Sequence, residues 1–286
     1  MPKLADGASL RPNIRGRGVG PGLGRNPQLP ASALKIVFQS LASVPGVPPV
    51  LPVALITGAS KGIGAATARL FAQAGFDLLL VARNIEALGA LAADLSPLGV
   101  RVETAGIDFS AADSIASALA ELLDRGLLPS VVINNAGVAA TASLAEMPLA
   151  QWQWLVQLNL TSVFQVCQAV LPGLRQGSGG LIINVSSHAA RQAFPDWGAY
   201  CASKAALASF SRCLAQEERS HGIRVSTLTL GAVNSPLWDS ETVHSSFDRR
   251  AMLSIETAAE ALLYLAQQPA SQVVEDLTLM PTAGAL

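Results

Sequence analysis

The sequence has little charge, few cysteines, few aromatic residues and no uninterrupted apolar run of membrane-spanning length. Only 14% of its 286 residues are charged while half are hydrophobic, a balance that would suit a membrane protein. A bilayer helix needs about 18 to 20 consecutive apolar residues. Here the apolar residues come instead in strand-sized blocks such as 78–82 and 181–185. That patterning predicts a soluble protein with a well-buried sheet and no membrane partner. The formal net charge of −1 offers no general attraction to nucleic acid. The three cysteines, Cys167, Cys201 and Cys213, are odd in number and far apart, without the spacing of a metal site. Cys167 and Cys213 lie in apolar helical stretches and are expected to be small core residues. A reducing compartment follows, with the cytoplasm as the expected location.

Residues 1–52 differ from the rest. They hold six Lys and Arg against a single acidic residue, Asp6, and are rich in Pro and Gly without sustained periodicity. Such a segment cannot offset its ordering entropy by burial and is expected to be disordered. It lacks the apolar core and cleavage pattern of a secretory signal. An organellar transit segment, a solvated tail and a start site placed too far upstream all fit it. The remainder, 53–286, reads as a single catalytic domain that begins abruptly at the first apolar block.

From there strand-like and helical segments alternate. Strands are expected at 53–57, 77–82, 100–106, 130–134, 181–186, 224–230 and 274–280, with helices near 62–74, 84–96, 111–125, 149–175, 198–220 and 256–267. Gly75, Gly99 and Gly222 mark helix stops. Strict alternation with helices long enough for crossovers predicts a doubly wound, Rossmann-type α/β fold: a parallel seven-stranded sheet with helices on both faces. Ligands on such sheets bind at the carboxyl ends of the strands, near the reversal in strand order.

The first strand runs into Thr57-Gly-Ala-Ser-Lys-Gly-Ile-Gly64. Gly58, Gly62 and Gly64 permit a tight turn and close approach of a pyrophosphate, whose charge the next helix N-terminus would meet. Glycine turns also occur for purely steric reasons, so independent support is needed. It comes from Tyr200-Cys-Ala-Ser-Lys204: with only two tyrosines and four lysines in the chain, this pairing is hard to obtain by chance. Positions i and i+4 share a helix face. A phenol of ordinary pKa, about 10, is a poor acid–base catalyst at neutral pH. A nearby ammonium, aided by a cationic nicotinamide, is expected to lower it. Thirteen residues before Tyr200, Ser187 ends an apolar strand, where its hydroxyl could hold a substrate oxygen. Strand alternation sends its neighbour Ser186 to the opposite face. His188 is read as a bystander.

These motifs resemble the short-chain dehydrogenase/reductase family over about residues 53–286. The resemblance implies reversible hydride transfer between a nicotinamide and a carbonyl or alcohol carbon. Tyr200 would exchange the proton, Ser187 polarise the oxygen, and Lys204 tune Tyr200 and hold the ribose. It makes Asn159 the fourth catalytic residue, holding a water chain that links Lys204 to solvent; a core Asn bonded to backbone is the alternative. It also implies that Ser60, Lys61 and Ile63 join the glycines at the cofactor. Asn135, Ala136 and Gly137, after the fourth strand, would line the ribose side, and Asp108 would contact adenine. After the sixth strand, Gly231, Val233 and Ser235 would meet the nicotinamide, with Leu230 and Ser235 standing where the family has Pro and Thr. Family members associate through the helices at 149–175 and 198–220, so a dimer or tetramer is implied, with a homotetramer expected.

An acidic residue after the second strand would bind an NAD ribose. This chain has Arg83 there, whose guanidinium suits a 2′-phosphate, and Lys61 can add a second charge. The expected cofactor is therefore NADP(H). The substrate is not legible. Residues 236–254 are expected to form a lid, with Trp238, Phe247 and Met252 either making an apolar pocket or packing the lid down. Gln216 stands where a carrier-docking base would be sought, which argues against an acyl-carrier substrate. A catalytically silent NADP-binding sensor or scaffold on the same fold is the alternative reading, and retention of Ser187, Tyr200, Lys204 and Asn159 together argues against it.

Overall fold

The computed structural model of the protein describes residues 51–177 and 179–285, so most of the proline- and glycine-rich segment lies outside the described residues. The described chain forms one seven-stranded parallel sheet. Its strands are β1 (Val53–Thr57), β2 (Asp77–Ala82), β3 (Val102–Gly106), β4 (Val131–Asn134), β5 (Gly180–Ser187), β6 (Ile223–Leu230) and β7 (Asp276–Leu279), in the order β3-β2-β1-β4-β5-β6-β7. The order reverses between β1 and β4, which opens a crevice at their carboxyl ends.

The helices are α1 (Gly62–Gln73), α2 (Ile85–Leu95), α3 (Ala112–Leu123), α4 (Leu149–Val156), α5 (Ser162–Gln176), α6 (Gly198–Glu218) and α7 (Ile255–Ala266). Two apolar layers sandwich the sheet. Ala54, Ile56, Leu78 and Leu80 pack with Phe71 of α1, Leu88 of α2 and Leu262 of α7. Val53, Leu55, Leu79 and Val81 turn the other way, toward Leu119 of α3, Val166 of α5 and Leu207 of α6. Both parities of each central strand are buried, so these strands read as continuous apolar runs, as a covered parallel sheet requires.

Three details depart from the sequence reading. The helix expected over 149–175 is interrupted by a π-helical turn at Gln157–Thr161. The whole helical run, Leu149–Gln176, is long and apolar enough to cross a membrane by length and composition. It packs as a core helix, with Leu155, Val163, Val166, Val170 and Leu174 buried against the sheet layer and neighbouring helices. Cys167 is buried as expected, but Cys213 is exposed. The buried stripe of α6 runs through Ala199, Ser203, Leu207, Ser211 and Leu214, and Cys213 falls beside it.

Candidate active site

The β1 strand feeds the glycine turn at the crevice. Gly58 and Gly62 take left-handed φ of 67° and 55°, and a Cβ on Gly64 would stand 2.3 Å from the Gly58 carbonyl oxygen. Only glycine suits these three positions. Lys61 caps α1 in extended conformation and its side chain makes no capping bond, so the first amides of the helix have no side-chain acceptor. An anion-seeking helix start is the result. The β4 exit is tied to the same turn: Thr57 Oγ1 accepts from the amides of Asn135 and Ala136, both at 3.0 Å. Asn135 Nδ2 donates back to the Thr57 carbonyl at 2.9 Å.

A cleft of about 900 Å³ opens over these strand ends. Gly58, Ser60, Lys61, Gly62 and Ile63 line it from the glycine turn, Arg83 from the end of β2, and Asn135, Ala136 and Gly137 from the end of β4. Gly231, Val233 and Ser235 line it from the segment after β6. The residues fit a dinucleotide: a cradle with no room for side chains, uncapped helix amides, and two exposed cations, Lys61 and Arg83, on the adenosine side. Gly64, Asp108 and Asn159 do not line the cleft. Asp108 is exposed and engaged by its own loop, accepting from the Ser110 amide (2.9 Å) and hydroxyl (2.7 Å). Burial raises its pKa, but these two bonds and the field of Arg83 outweigh it and hold the carboxyl below its ordinary value.

Ser187, Tyr200 and Lys204 come together on the opposite wall. β5 delivers Ser187 and α6 delivers the other two, one helical turn apart. Tyr200 is part-buried and lines the cleft; desolvation raises the pKa of its phenol, the neighbouring Ser187 hydroxyl pulls it partly back, and desolvation wins. Lys204 is buried, its Nζ donating to the Val185 carbonyl at 2.9 Å and lying 5.9 Å from the Tyr200 ring centroid. Desolvation pushes its pKa down to about 8. The sequence reading that Lys204 depresses the Tyr200 pKa therefore needs correction. The ammonium is spent on a backbone carbonyl and is itself desolvated, so among the protein's own groups the phenol is held protonated.

Asn159 sits inside the π-helical turn, fully buried. Its Oδ1 accepts from the Val138 amide (2.9 Å), and its Nδ2 donates to the Val138 carbonyl (2.9 Å) and to Ser203 Oγ (3.0 Å). Its side chain thus fastens the strand β4 exit to the helix that carries Tyr200. Ser186, expected to turn to the opposite face, also lines the cleft; its hydroxyl is buried without a partner, and the hydroxyl that acts on the phenol is that of Ser187. His188 lines the cleft with Nε2 bonded to Gln192 Oε1 at 2.9 Å.

Residues 52–245 match the family model described as short chain dehydrogenase. The chain belongs to the short-chain dehydrogenase/reductase family. A sulfoacetaldehyde reductase from Chromohalobacter salexigens is 34% identical over 241 residues, covering 82% of this chain and 95% of that one. Among solved structures, an alcohol dehydrogenase from Thermococcus sibiricus complexed with 5-hydroxy-NADP aligns with a TM-score of 0.75 at 30% identity, covering 82% of this chain and 97% of that one. A short-chain dehydrogenase from Sphingobium yanoikuyae in complex with NADPH aligns with a TM-score of 0.71 at 30% identity, with coverages of 81% and 88%. The protein is an oxidoreductase of this family, and its sheet is the family's Rossmann-type fold.

In this short-chain dehydrogenase/reductase the lid expected at 236–254 leaves and returns at one point. The Asn234 amide donates to the Leu253 carbonyl (2.8 Å), and the Leu253 amide donates to the Ala232 carbonyl (2.9 Å). Arg249 crosses the loop, donating to Asn234 Oδ1 (2.7 Å) and Asp239 Oδ1 (2.6 Å). Trp238 and Phe247 line the cleft; Met252 does not. Sequence reasoning missed Trp154, Phe194 and Trp197, which complete the wall around Tyr200. A signal was available for two of them: Phe194 and Trp197 fall inside the thirteen-residue connection from Ser187 to Tyr200, which must fold over the site.

Proposed function

We propose that the enzyme is an NADPH-dependent carbonyl reductase, reversible as an alcohol dehydrogenase, with Tyr200, Ser187 and Lys204 as its catalytic residues. The carrying observation is that Ser187, Tyr200 and Lys204 share one wall of the glycine-lined cleft, with Lys204 Nζ 5.9 Å from the Tyr200 ring centroid. A bound nicotinamide supplies the hydride, or accepts it in the oxidative direction. Tyr200 Oη gives its proton to the carbonyl oxygen as the carbon is reduced, and takes it back in oxidation. Burial keeps that proton in place at neutral pH, which suits reduction. Ser187 Oγ orients the substrate oxygen against the phenol, and Lys204 brings a positive group to the same wall. Asn159 acts at one remove by fixing Val138 and Ser203. Arg83 and Lys61, with no acid at the end of β2, favour the 2′-phosphate of NADPH. The NADP-bound and NADPH-bound relatives support this preference. Phe164 of α5, half exposed and edge-on to Phe210 of α6 at 6.5 Å, supports assembly of copies through these helices.

The test is loss of nicotinamide absorbance with a ketone panel, using NADPH and NADH in parallel. Wild type is expected to turn over with the higher kcat/KM for NADPH. Tyr200→Phe is expected to lose about 10²–10⁴-fold in kcat while still binding NADPH. Tight NADPH binding without turnover of any carbonyl would instead make the protein a cofactor sensor.

A further inference from the structure

Beyond Tyr200 the cleft wall is built of aromatic rings. The Tyr200 ring meets Trp197 with centroids 5.5 Å apart, Trp197 meets Trp238 at 5.6 Å, and Trp238 meets Phe247 at 5.7 Å, each pair tilted or edge-on. The ladder climbs from the phenol into the lid. The lid tryptophan has no polar group to offer a ligand, because its indole N–H is taken by the Val233 carbonyl at 2.7 Å.

The charges lining the cleft are divided unevenly. Among the described residues its cations are Lys61, Arg83 and Lys204: two on the glycine-turn and β2 side, and one held beneath Tyr200 by the Val185 carbonyl. Arg249, the cation that crosses the lid, is occupied by Asp239 and Asn234 and does not line the cleft. The residue of formal charge that the lid does contribute to the lining is Glu241, which is exposed. An anionic substrate tail leaving the Tyr200 hydroxyl toward the lid would surrender its hydration for hydrocarbon rings and an indole N–H that is already taken, and would approach a like charge.

We infer that the substrate of this reductase is an uncharged carbonyl compound with a flat, aryl-sized apolar body seated on the Trp197–Trp238–Phe247 ladder, and that Trp238, Phe247 and Glu241 set this specificity. This deepens the proposed carbonyl reductase activity and rests on it. The substrate oxygen lies between Tyr200 and Ser187, the ring of the substrate continues the edge-to-face series, and Glu241 selects against carboxylates, sulfonates and phosphates.

The experiment compares three ketones with NADPH: para-methylacetophenone, its charged isostere para-acetylbenzoate, and butanone, which carries no ring. Wild type is expected to prefer the methyl over the carboxylate compound by at least about tenfold in kcat/KM. Trp238→Ala and Phe247→Ala are expected to lower the ratio of methylacetophenone to butanone turnover by about tenfold. Glu241→Arg is expected to raise turnover of the carboxylate compound relative to the methyl one, a gain that a misfolded variant cannot imitate. Equal or faster use of para-acetylbenzoate by wild type, or an aryl preference indifferent to both aromatic substitutions, overturns the inference while leaving the reductase intact. If none of the three ketones consumes NADPH while another carbonyl does, the inference falls and the reductase stands; if no carbonyl does although NADPH binds, both fall.

Discussion

Lys204 is a buried ammonium whose energetic consequences can be read from its surroundings. Burial moves its pKa from an ordinary 10.5 down to about 8, with one carbonyl, that of Val185, as its hydrogen-bond acceptor. Between these values the unfolded chain holds a proton that the folded chain has released, so this residue makes stability rise with pH across that window. Below pH 8 its penalty is present in full; above pH 10.5 it is gone. The difference in unfolding free energy between Lys204→Met and wild type is therefore expected to shift in favour of wild type by up to about 3 kcal/mol from pH 8 to 10.5. Urea titrations of both proteins across that range measure it, and a pH-independent difference would mean that the ammonium is well solvated. The residues proposed for the chemistry were legible in the sequence because phenol, ammonium and hydroxyl have few other reasons to recur at those spacings. The direction of the Tyr200 shift was not. It depends on enclosure by Trp197 and on where the Lys204 amine is directed, and neither is encoded locally.

At the scale of elements, β1 and β2 are legible to the residue because both are continuous apolar blocks flanked by turn residues. β3 and β7 are shorter than read, at Val102–Gly106 and Asp276–Leu279, since they lie at the two sheet edges where pairing stops before the apolar pattern does. The break between α4 and α5 left no mark in the alternation of apolar and polar residues along 149–175. It forms where Asn159 holds the Val138 amide and carbonyl together, a tertiary demand that the periodicity of 149–175 does not express. Asn159→Ala would strand that amide, that carbonyl and the Ser203 contact at once. The expected cost is roughly 2–4 kcal/mol in chemical denaturation. A lower kcat should accompany it, because the α6 helix bearing Tyr200 loses its tie to the β4 exit. A variant as stable and active as wild type would show that the π turn holds itself.

The described residues form a sheet covered on both faces, and their outer layer leaves several large apolar side chains exposed, Phe164 among them. Phe164 and Phe210 stand edge to face on α5 and α6, with Phe164 half exposed. A charge placed there would not disturb the interior but would oppose burial against a second copy. Under the proposed assembly through α5 and α6, Phe164→Glu is expected to reduce the mass measured by light scattering to that of a monomer while preserving the circular dichroism spectrum; an unchanged mass, or a monomeric wild type, would overturn that proposal. The loop over the cleft has a different relation to the whole. Because its ends meet at Ala232, Asn234 and Leu253, and its middle is held through Thr242 and His244 by Ala139 and Thr141, it is a handle fastened to loops and not to strands. Handles of that construction can be lengthened, shortened or exchanged without re-registering the strands beneath them, which lets substrate preference diverge while the nucleotide machinery stays constant.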